Sequence, residues 1–364
     1  MPRSLEETYD IPPLPPPADL ETVAVLRELA QASRALAELK GRAQAIPNQS
    51  ILIDTLALQE ARASSEIENI VTTQDEVFQA ELFPDRASGP AKEVARYRDT
   101  LKRGIARLNE TGLITNRTLI EMFQLLKQRD DGFRAVPGTA LRNDATGRIV
   151  YVPPQRSDAI QRHMRDLETF LNDDRHGLDP LIAMAVAHHQ FESIHPFPDG
   201  NGRLGRILNV LYLTRTGLLD SPILYLSRYV NRHKADYYRL LQAVRDDGAW
   251  AQWVLYMLRA VTRTSRDTLR IVDGMRGQMA ETKVRLRTDL PKFYSQDLLN
   301  NIFRHPYTRV EYVQNDLGVS RPTATKYLEA LVAEGLLLKV PRGRYRYYVN
   351  EPLVRLLTDA PGGG

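Results

Sequence analysis

The amino-acid sequence predicts a mainly α-helical protein with a small β-hairpin flap and a C-terminal winged helix-turn-helix domain. From about residue 20 to residue 260 the apolar residues recur at helical spacing, as in Leu26, Leu29, Leu36 and Leu39, and alternating runs are few. The chain has 364 residues, which corresponds to two or three compact units at roughly 150 residues per domain. Apolar residues make up 43% and charged residues 26% of the chain, as in an ordinary globular protein.

Charge and cysteine content exclude several classes of function. The net charge of +4 is too small over 364 positions to indicate nucleic-acid binding by itself. The chain has no cysteine, so disulfides, thiolate metal sites and a cysteine nucleophile are excluded. No apolar run approaches the ~18 residues of a membrane helix, and the N-terminus lacks the apolar stretch of a signal peptide. We therefore expect a cytoplasmic protein with no membrane partner.

Two non-helical elements interrupt the first 260 residues. The five prolines of residues 11–17 remove five N–H donors, so we expect an extended strap that lies on its own domain; a ligand for an SH3-like partner is the alternative. Between residues 132 and 154, Gly138 and Gly147 flank a turn, and residues 149–152 form a β-prone run. This pattern predicts a β-hairpin flap, with a polar surface loop as the alternative.

The region 306–350 predicts a helix-turn-helix followed by a wing. Thr308 and Glu311 indicate a capping box for its first helix, and Ser320 with Pro322 indicates the start of its second. Apolar and aromatic runs on both sides of the turn at residues 341–344 then predict a hairpin. The region carries seven Lys and Arg residues against four Asp and Glu residues, so both a DNA partner and a protein partner stay open. The basic residues of its predicted binding face are Arg321, Lys326, Arg342, Arg344 and Arg346.

These patterns divide the chain into consecutive segments. Residues 262–290 are rich in Arg and Thr and predict a solvated connecting helix that ends near Pro291. The final residues 360–364 are expected to be disordered. The predicted segments are a strap and helical region at 1–110, a catalytic domain at 111–260, connecting helices at 261–300, a winged helix at 301–350 and a tail at 351–364.

The strongest chemical signal is the run His-Pro-Phe-Pro-Asp-Gly-Asn-Gly-Arg-Leu-Gly-Arg at residues 195–206. Asp179 and Pro180 start a helix before it, and a second apolar helix follows it, so its Gly-Asn-Gly opens a helix whose free N–H groups favour an anion. Arg203 and Arg206 lie three residues apart and can both reach that anion. The run therefore predicts a phosphate cradle, in which Asp199 is a candidate Mg²⁺ ligand and His195 a candidate general base.

This run resembles, at all twelve positions, the signature of Fic-domain proteins, most of which are protein adenylyltransferases. The resemblance implies a Fic-type helical domain and transfer of AMP from ATP, with Mg²⁺, to a Ser, Thr or Tyr hydroxyl of a target protein. It also implies the following roles: His195 as the base, Asp199 as the metal ligand, and Gly200, Asn201, Gly202, Arg203 and Arg206 as phosphate-binding residues, Arg206 holding the γ-phosphate.

A second resemblance lies upstream, within an inhibitory helix predicted at about residues 55–70. Ser64, Glu68 and Asn69 are similar to the inhibitory motif of this family, which implies that Glu68 pairs with Arg206 and blocks productive γ-phosphate binding. An ordinary amphipathic helix is the alternative. The region from Ser227 to Tyr238 resembles the part of the family that lines the adenine pocket, through Asn231 and Tyr237, although two adjacent tyrosines on a helix are also typical of a core.

Two functions of different classes follow from these signals. The first is a protein adenylyltransferase that acts on target proteins and on itself and is autoinhibited through Glu68. The alternative is a DNA-binding winged-helix regulator whose Fic domain senses nucleotide or transfers another phosphate-containing group. An intact loop favours the enzyme, because a regulator has no need of His195. A homodimer, the target and the removal of AMP stay open.

Overall fold

The computed structural model describes residues 9–73, 76–78, 80, 87–143, 146–342 and 345–358. Helices dominate this part of the chain, and the strands form two small antiparallel sheets. The helices are α1 (Val23–Ala43), α2 (Gln49–Ile67), α3 (Gly89–Thr111), α4 (Asn116–Lys127), α5 (Ser157–Asn172), α6 (Pro180–Ile194), α7 (Asn201–Arg215), α8 (Ser227–Arg232), α9 (Lys234–Asp247), α10 (Trp250–Asp289), α11 (Gln296–Arg304), α12 (Val310–Leu317), α13 (Arg321–Ala333) and α14 (Glu351–Thr358). The strands are β1 (Leu141–Arg142), β2 (Ile149–Tyr151), β3 (Tyr307–Thr308), β4 (Leu338–Arg342) and β5 (Tyr345–Val349).

The chain forms two compact units, each built from segments that are not consecutive. The first comprises Met1–Ala37, Ala63–Ile70 and Arg96–Thr264. The second comprises Glu38–Arg62, Val71–Ala95 and Ser265–Gly364. The sequence patterns delimit consecutive segments only, because contacts between distant parts of the chain leave no local signal.

Helices α6 and α7 form the centre of the first unit. Asp179 caps α6 by accepting a hydrogen bond from the Leu181 N–H at 2.8 Å, and Pro180 occupies its first turn, as predicted. Every residue from Leu181 to Ile194 is buried, so α6 is a core helix on all sides. Such a helix holds the loop that follows it, residues 195–200, on a rigid support.

The strap and the flap both lie on this unit. Ile11 is buried, and the Pro12 carbonyl accepts a hydrogen bond from Gln190 Nε2 at 3.0 Å, which confirms the prediction of a strap on its own domain. Strands β1 and β2 pair antiparallel, with Leu141 opposite Tyr151, so the predicted hairpin flap is present. The residues at its tip, 144 and 145, lie outside the described residues.

The second unit brings its three segments together through long-range contacts. Arg304 Nε donates to Asp54 Oδ2 at 2.7 Å, and Phe78 stacks on Tyr307 with ring centroids 4.6 Å apart. The segment after residue 262, predicted as a solvated connecting helix, is the second half of the single helix α10 and buries an apolar face. The periodic apolar residues of that face are Ile271, Val272, Met275, Met279 and Leu286.

The C-terminal elements lie where the sequence predicts a winged helix. Helices α12 and α13 form the helix pair, and β3, β5 and β4 form a sheet in that order, with β5 in the middle. Ser320 caps α13, as predicted, whereas the predicted capping box is wrong: Thr308 lies in β3, and its hydroxyl donates to Asn301 Oδ1 at 2.9 Å. Wing residues 343 and 344 and the tail residues 360–364 lie outside the described residues.

Candidate active site

The end of α6 places His195. His195 caps the helix with left-handed backbone angles, φ 49° and ψ 57°, and its N–H donates to the Phe191 carbonyl at 2.9 Å. A left-handed residue reverses the chain at a helix end, a position that usually holds glycine. Phe197 then inserts its ring into the core, stacked on Phe123 of α4 with centroids 4.5 Å apart. The loop is therefore anchored on both sides of its histidine.

The surroundings of His195 favour the neutral imidazole. Burial lowers the pKa of His195 to about 3, and the cations of Arg134 and Arg245 act in the same direction. The ring is therefore neutral at pH 7. A bound polyanion would raise this pKa again, because negative charge nearby stabilises the imidazolium.

The loop then opens the N-terminus of α7. Gly200 is the N-cap residue with φ 76°, a backbone angle that favours glycine, and a Cβ there would make a tight contact of 3.3 Å with Leu126 Cδ2. Asn201 is buried; its Oδ1 accepts from the Phe197 N–H at 2.9 Å and its Nδ2 donates to the Phe197 carbonyl at 2.8 Å. The side chain of Asn201 thus shapes the loop. Phosphate binding by the backbone of Asn201 stays a prediction.

Asp199 directly precedes the N-cap of α7, and its side chain is 59% exposed. Its Oδ2 pairs with Lys127 Nζ at 2.5 Å, a partner at the end of α4 for which the sequence carried no signal. Partial burial acts to raise the pKa of Asp199, but Lys127, the Gly200 N–H and Arg203 outweigh it, and the pKa is lowered. The carboxylate is therefore ionised and faces outward, which suits a hard-cation ligand.

Arg206 is held by the predicted inhibitory segment. The residue is only 3% exposed; its Nε donates to Ser64 Oγ at 2.8 Å, and its Nη2 donates to the Ser64 carbonyl at 3.0 Å and to Glu68 Oε1 at 2.9 Å. A Cβ on Gly202 would lie 2.5 Å from Glu68 Oε1, so the missing side chain leaves room for this carboxylate. The structure thus brings Ser64 and Glu68 together with Arg206 of α7.

Asn69 ends this segment. It follows α2 with φ 61°, a left-handed position that asparagine tolerates better than most residues. Its Oδ1 accepts a hydrogen bond from Lys234 Nζ at 3.4 Å. Asn69 therefore turns the chain directly after Glu68.

A buried carboxyl lies behind the loop. Glu192 Oε1 has no hydrogen-bond partner among the described residues, and a Cβ on Gly205 would lie 2.7 Å from it. Burial raises the pKa of Glu192 to about 7, although Arg206 acts in the opposite direction. The sequence pattern gave no reason to single out Glu192, because only the tertiary structure removes it from water.

The two residues predicted to line an adenine pocket, Tyr237 and Asn231, lie in different environments. Tyr237 is buried, and its hydroxyl forms a 2.8 Å hydrogen bond with His188 Nε2 within a cluster that includes Trp253. His188 is a hydrogen-bonded core histidine, as its position on α6 suggests. Asn231 is partly exposed on α8. A role for either residue in adenine binding stays a prediction.

Two structural findings bear on metals and membranes. Within the ranges that the structure describes, no group of three or more His, Asp or Glu side chains is arranged to hold a metal ion. A Mg²⁺ ion that is bound largely by substrate phosphates needs only one or two protein carboxylates, so Asp199 fits such an ion. None of the helices in the described residues has both the length and the apolar character needed to cross a membrane.

Family models match three successive parts of the chain. Residues 26–106 match the model "Fic/DOC family N-terminal", and residues 113–213 match "Fic/DOC family". Residues 278–353 match "Protein adenylyltransferase SoFic-like, C-terminal domain". The second match contains the whole run of residues 195–206, and the first contains Ser64 and Glu68, which hold Arg206.

Curated relatives are similar over parts of their length. The protein adenylyltransferase Fic of Nematostella vectensis is 32% identical over 114 residues, which is 31% of this chain and 25% of the relative. That of Aedes aegypti is 30% identical over 158 residues, 43% of this chain and 30% of the relative. A probable protein adenylyltransferase of Aquifex aeolicus is 36% identical over 81 residues, 22% of this chain and 23% of the relative. The chain thus spans less than a third of these relatives.

Solved structures share the fold. A Fic family protein from Desulfovibrio desulfuricans G20 superposes with a TM-score of 0.58 at 22% identity, covering 97% of this chain and 99% of that one. Fic-1 from C. elegans superposes with a TM-score of 0.51 at 21% identity, covering 66% and 71%. At these identities the likeness shows the Fic-type helical fold.

Proposed function

This chain is a Fic-domain protein, and on that basis we propose that it transfers AMP from ATP to a Ser, Thr or Tyr hydroxyl of a protein, itself included. The observation that carries the proposal is the intact run of residues 195–206, with a neutral His195 at its start and a buried Arg206 at its end. The names of the curated relatives support the same activity.

The chemistry proceeds by in-line displacement at the α-phosphorus. The neutral imidazole of His195 takes the proton of the target hydroxyl, whose oxygen then forms the new bond to the α-phosphorus of ATP. The bond from the α-phosphorus to the bridging oxygen breaks, and pyrophosphate leaves with that electron pair. Positioning and charge neutralisation supply most of the catalysis in such a transfer.

The residues after His195 would hold the phosphate chain. The backbone of Gly200, Asn201 and Gly202 opens α7, whose N-terminal N–H groups and dipole attract an anion. Arg203 is buried beside Gly200, and Arg206 would bind the γ-phosphate. Asp199 would hold Mg²⁺, which when bound neutralises charge on the phosphates.

Glu68 would act as a brake on this reaction. Its carboxylate already occupies Arg206, so the γ-phosphate of ATP must compete for the same guanidinium. While the pair persists, the γ-phosphate of ATP cannot bind Arg206, and the α-phosphorus is not aligned with His195. Ser64 supports this state, because its hydroxyl accepts a hydrogen bond from Nε of Arg206 and its carbonyl accepts one from Nη2.

The test is the mass added to the protein after incubation with ATP and Mg²⁺. Glu68→Gly should gain the mass of AMP over time. Adding His195→Ala should slow this gain by ~10²–10⁴-fold while ATP binding persists, because the phosphates are held elsewhere. His163→Ala in the same background is the matched control, since His163 lies on α5, outside the run of residues 195–206. Equal rates for the two histidine variants would reject the role of His195, and absence of transfer would reject the activity.

DNA binding through residues 306–350 is the alternative function. Two of its basic side chains are engaged within the region: Arg321 pairs with Glu311 at 3.0 Å, and Lys339 pairs with Glu329 at 2.5 Å. These pairs weaken the case for a phosphate-binding face. A DNA complex held by Lys and Arg should weaken steeply as salt is raised, so titration of a duplex at several salt concentrations decides the question.

A further inference from the structure

The side chain of Arg134 lies beneath the loop and makes an unusual set of contacts for a cation. It is 5% exposed, and it donates to three main-chain carbonyls. Nε donates to the His195 carbonyl at 2.6 Å, and Nη2 donates to the carbonyls of Pro154 at 2.6 Å and Ile194 at 3.2 Å. Burial lowers the pKa of Arg134 to about 10, yet the group stays charged at neutral pH.

These acceptors belong to the two parts of the molecule that surround the catalytic histidine. The carbonyls of Ile194 and His195 end α6, where a helix leaves its last carbonyls without partners and where a cation is stabilised by the helix dipole. Pro154 ends the flap, and Arg134 itself begins it, with its own N–H donated to the Pro196 carbonyl at 2.8 Å. Through its side chain and its main-chain N–H, this one residue therefore ties both ends of the flap to both sides of His195.

The backbone of His195 needs such a support. Its left-handed angles are unfavourable for a residue with a side chain and persist only where neighbouring contacts impose them. A planar fork that grips successive carbonyls can impose them, whereas a single ammonium cannot reach the same acceptors together.

We propose that Arg134 is a positioning residue for the AMP transfer: its guanidinium fixes the backbone of His195 and docks the flap against the loop. The proposal rests on the proposed function for its effect on rate. Its effect on the loop itself can be measured without any activity. Arg134 also contributes positive charge beside the imidazole, so its loss has an electrostatic consequence that a packing role alone would not have.

The kinetic test uses the Glu68→Gly background, in which the brake is absent. Arg134→Ala should lower kcat about 10²-fold, the cost of a small misplacement of a catalytic group. KM for ATP should change less than about twofold, because the phosphates are held by α7. Arg129→Ala is the matched control: Arg129 lies just before the flap, is exposed, and pairs with Asp131 at 2.7 Å. A kcat for Arg134→Ala equal to that of the control, or a loss confined to KM, overturns the proposal.

Arg134→Lys separates geometry from charge. Lysine keeps the positive charge but not the fork, so kcat should stay low. The acid limb of the pH profile should move to higher pH in Arg134→Ala, because loss of the cation raises the pKa of His195, and should stay near its original position in Arg134→Lys. If the Ala variant does not fold, the Lys variant alone decides, and a kcat of Arg134→Lys equal to that of the control overturns the proposal.

Hydrogen exchange measured by mass spectrometry tests the same inference independently of catalysis. Peptides covering residues 195–200 and 133–154 should exchange faster in Arg134→Ala or Arg134→Lys than in Arg129→Ala, while peptides of α10 should not. Equal exchange in all variants overturns the proposal. If the Glu68→Gly protein transfers no AMP, the proposed function fails, and the exchange measurement still decides the role of Arg134.

Discussion

Replacing Glu68 by Gly should release the activity of this protein, and the structure gives the size of the effect. Arg206 makes three hydrogen bonds to the predicted inhibitory segment, two to Ser64 and one to Glu68. The replacement removes only the last, a hydrogen bond between two charged groups that is typically worth about 1.5–3 kcal/mol. The Glu68 side chain is 33% exposed, so solvent screening favours the lower end of that range.

About 1.5 kcal/mol corresponds to roughly a tenfold change in an equilibrium. We therefore expect the initial rate of AMP incorporation, at ATP concentrations below saturation, to rise at least about tenfold in Glu68→Gly. The fold should change little, because Glu68 follows the end of α2 and Ser64 still binds Arg206. The assay is intact mass against time, with thermal unfolding measured on the same samples.

Two controls make the result interpretable. Glu66→Gly makes the same change of charge two residues earlier, at a carboxylate other than the one that holds Arg206. Glu68→Gly combined with Arg206→Ala should lose the gain, because the brake acts through that arginine. Our reasoning is refuted if Glu68→Gly is no faster than Glu66→Gly, or if the double variant keeps the full gain.

Three further predictions concern charge and domain structure. Because the pKa of Glu192 is raised from 4.5 to about 7, its protonated form stabilises the fold at low pH, and this contribution is lost as pH rises through 7. Glu192→Gln should therefore remove about 3 kcal/mol of the pH dependence of the unfolding free energy between pH 4 and pH 8, measured by urea unfolding. Identical pH dependence in the variant and the unmodified protein would contradict this prediction. Lys127→Met should tighten Mn²⁺ binding in the presence of ATP by about two- to fivefold, because Lys127 competes with the metal ion for the largely exposed carboxylate of Asp199. Electron paramagnetic resonance measures this binding, and weaker binding in the variant would count against competition. Deleting residues 300–364 removes the partners of Asp54 and Phe78, so size-exclusion chromatography should show aggregation; a monodisperse truncated protein would disprove this.

The sequence alone was sufficient to predict a structural feature wherever the residues that determine it lie close together along the chain. Asp179 and Pro180 predict the start of α6 because a cap and a first-turn proline act within one helical turn. The twelve residues from His195 to Arg206 are contiguous, so their family resemblance could be recognised without any structure. The same holds for Ser64 and Glu68, whose motif spans little more than one turn.

Only the tertiary structure revealed the partners that lie far away along the chain. Arg134 donates to a carbonyl 61 residues distant, and Thr308, which the sequence predicts to start a capping box, instead pairs in β3 with Tyr348 of β5. Neither the low pKa of His195 nor the raised pKa of Glu192 could be read from the sequence. Both follow from the removal of water and from the charges that folding brings close, and these depend on packing between segments whose local sequence does not record the pairing.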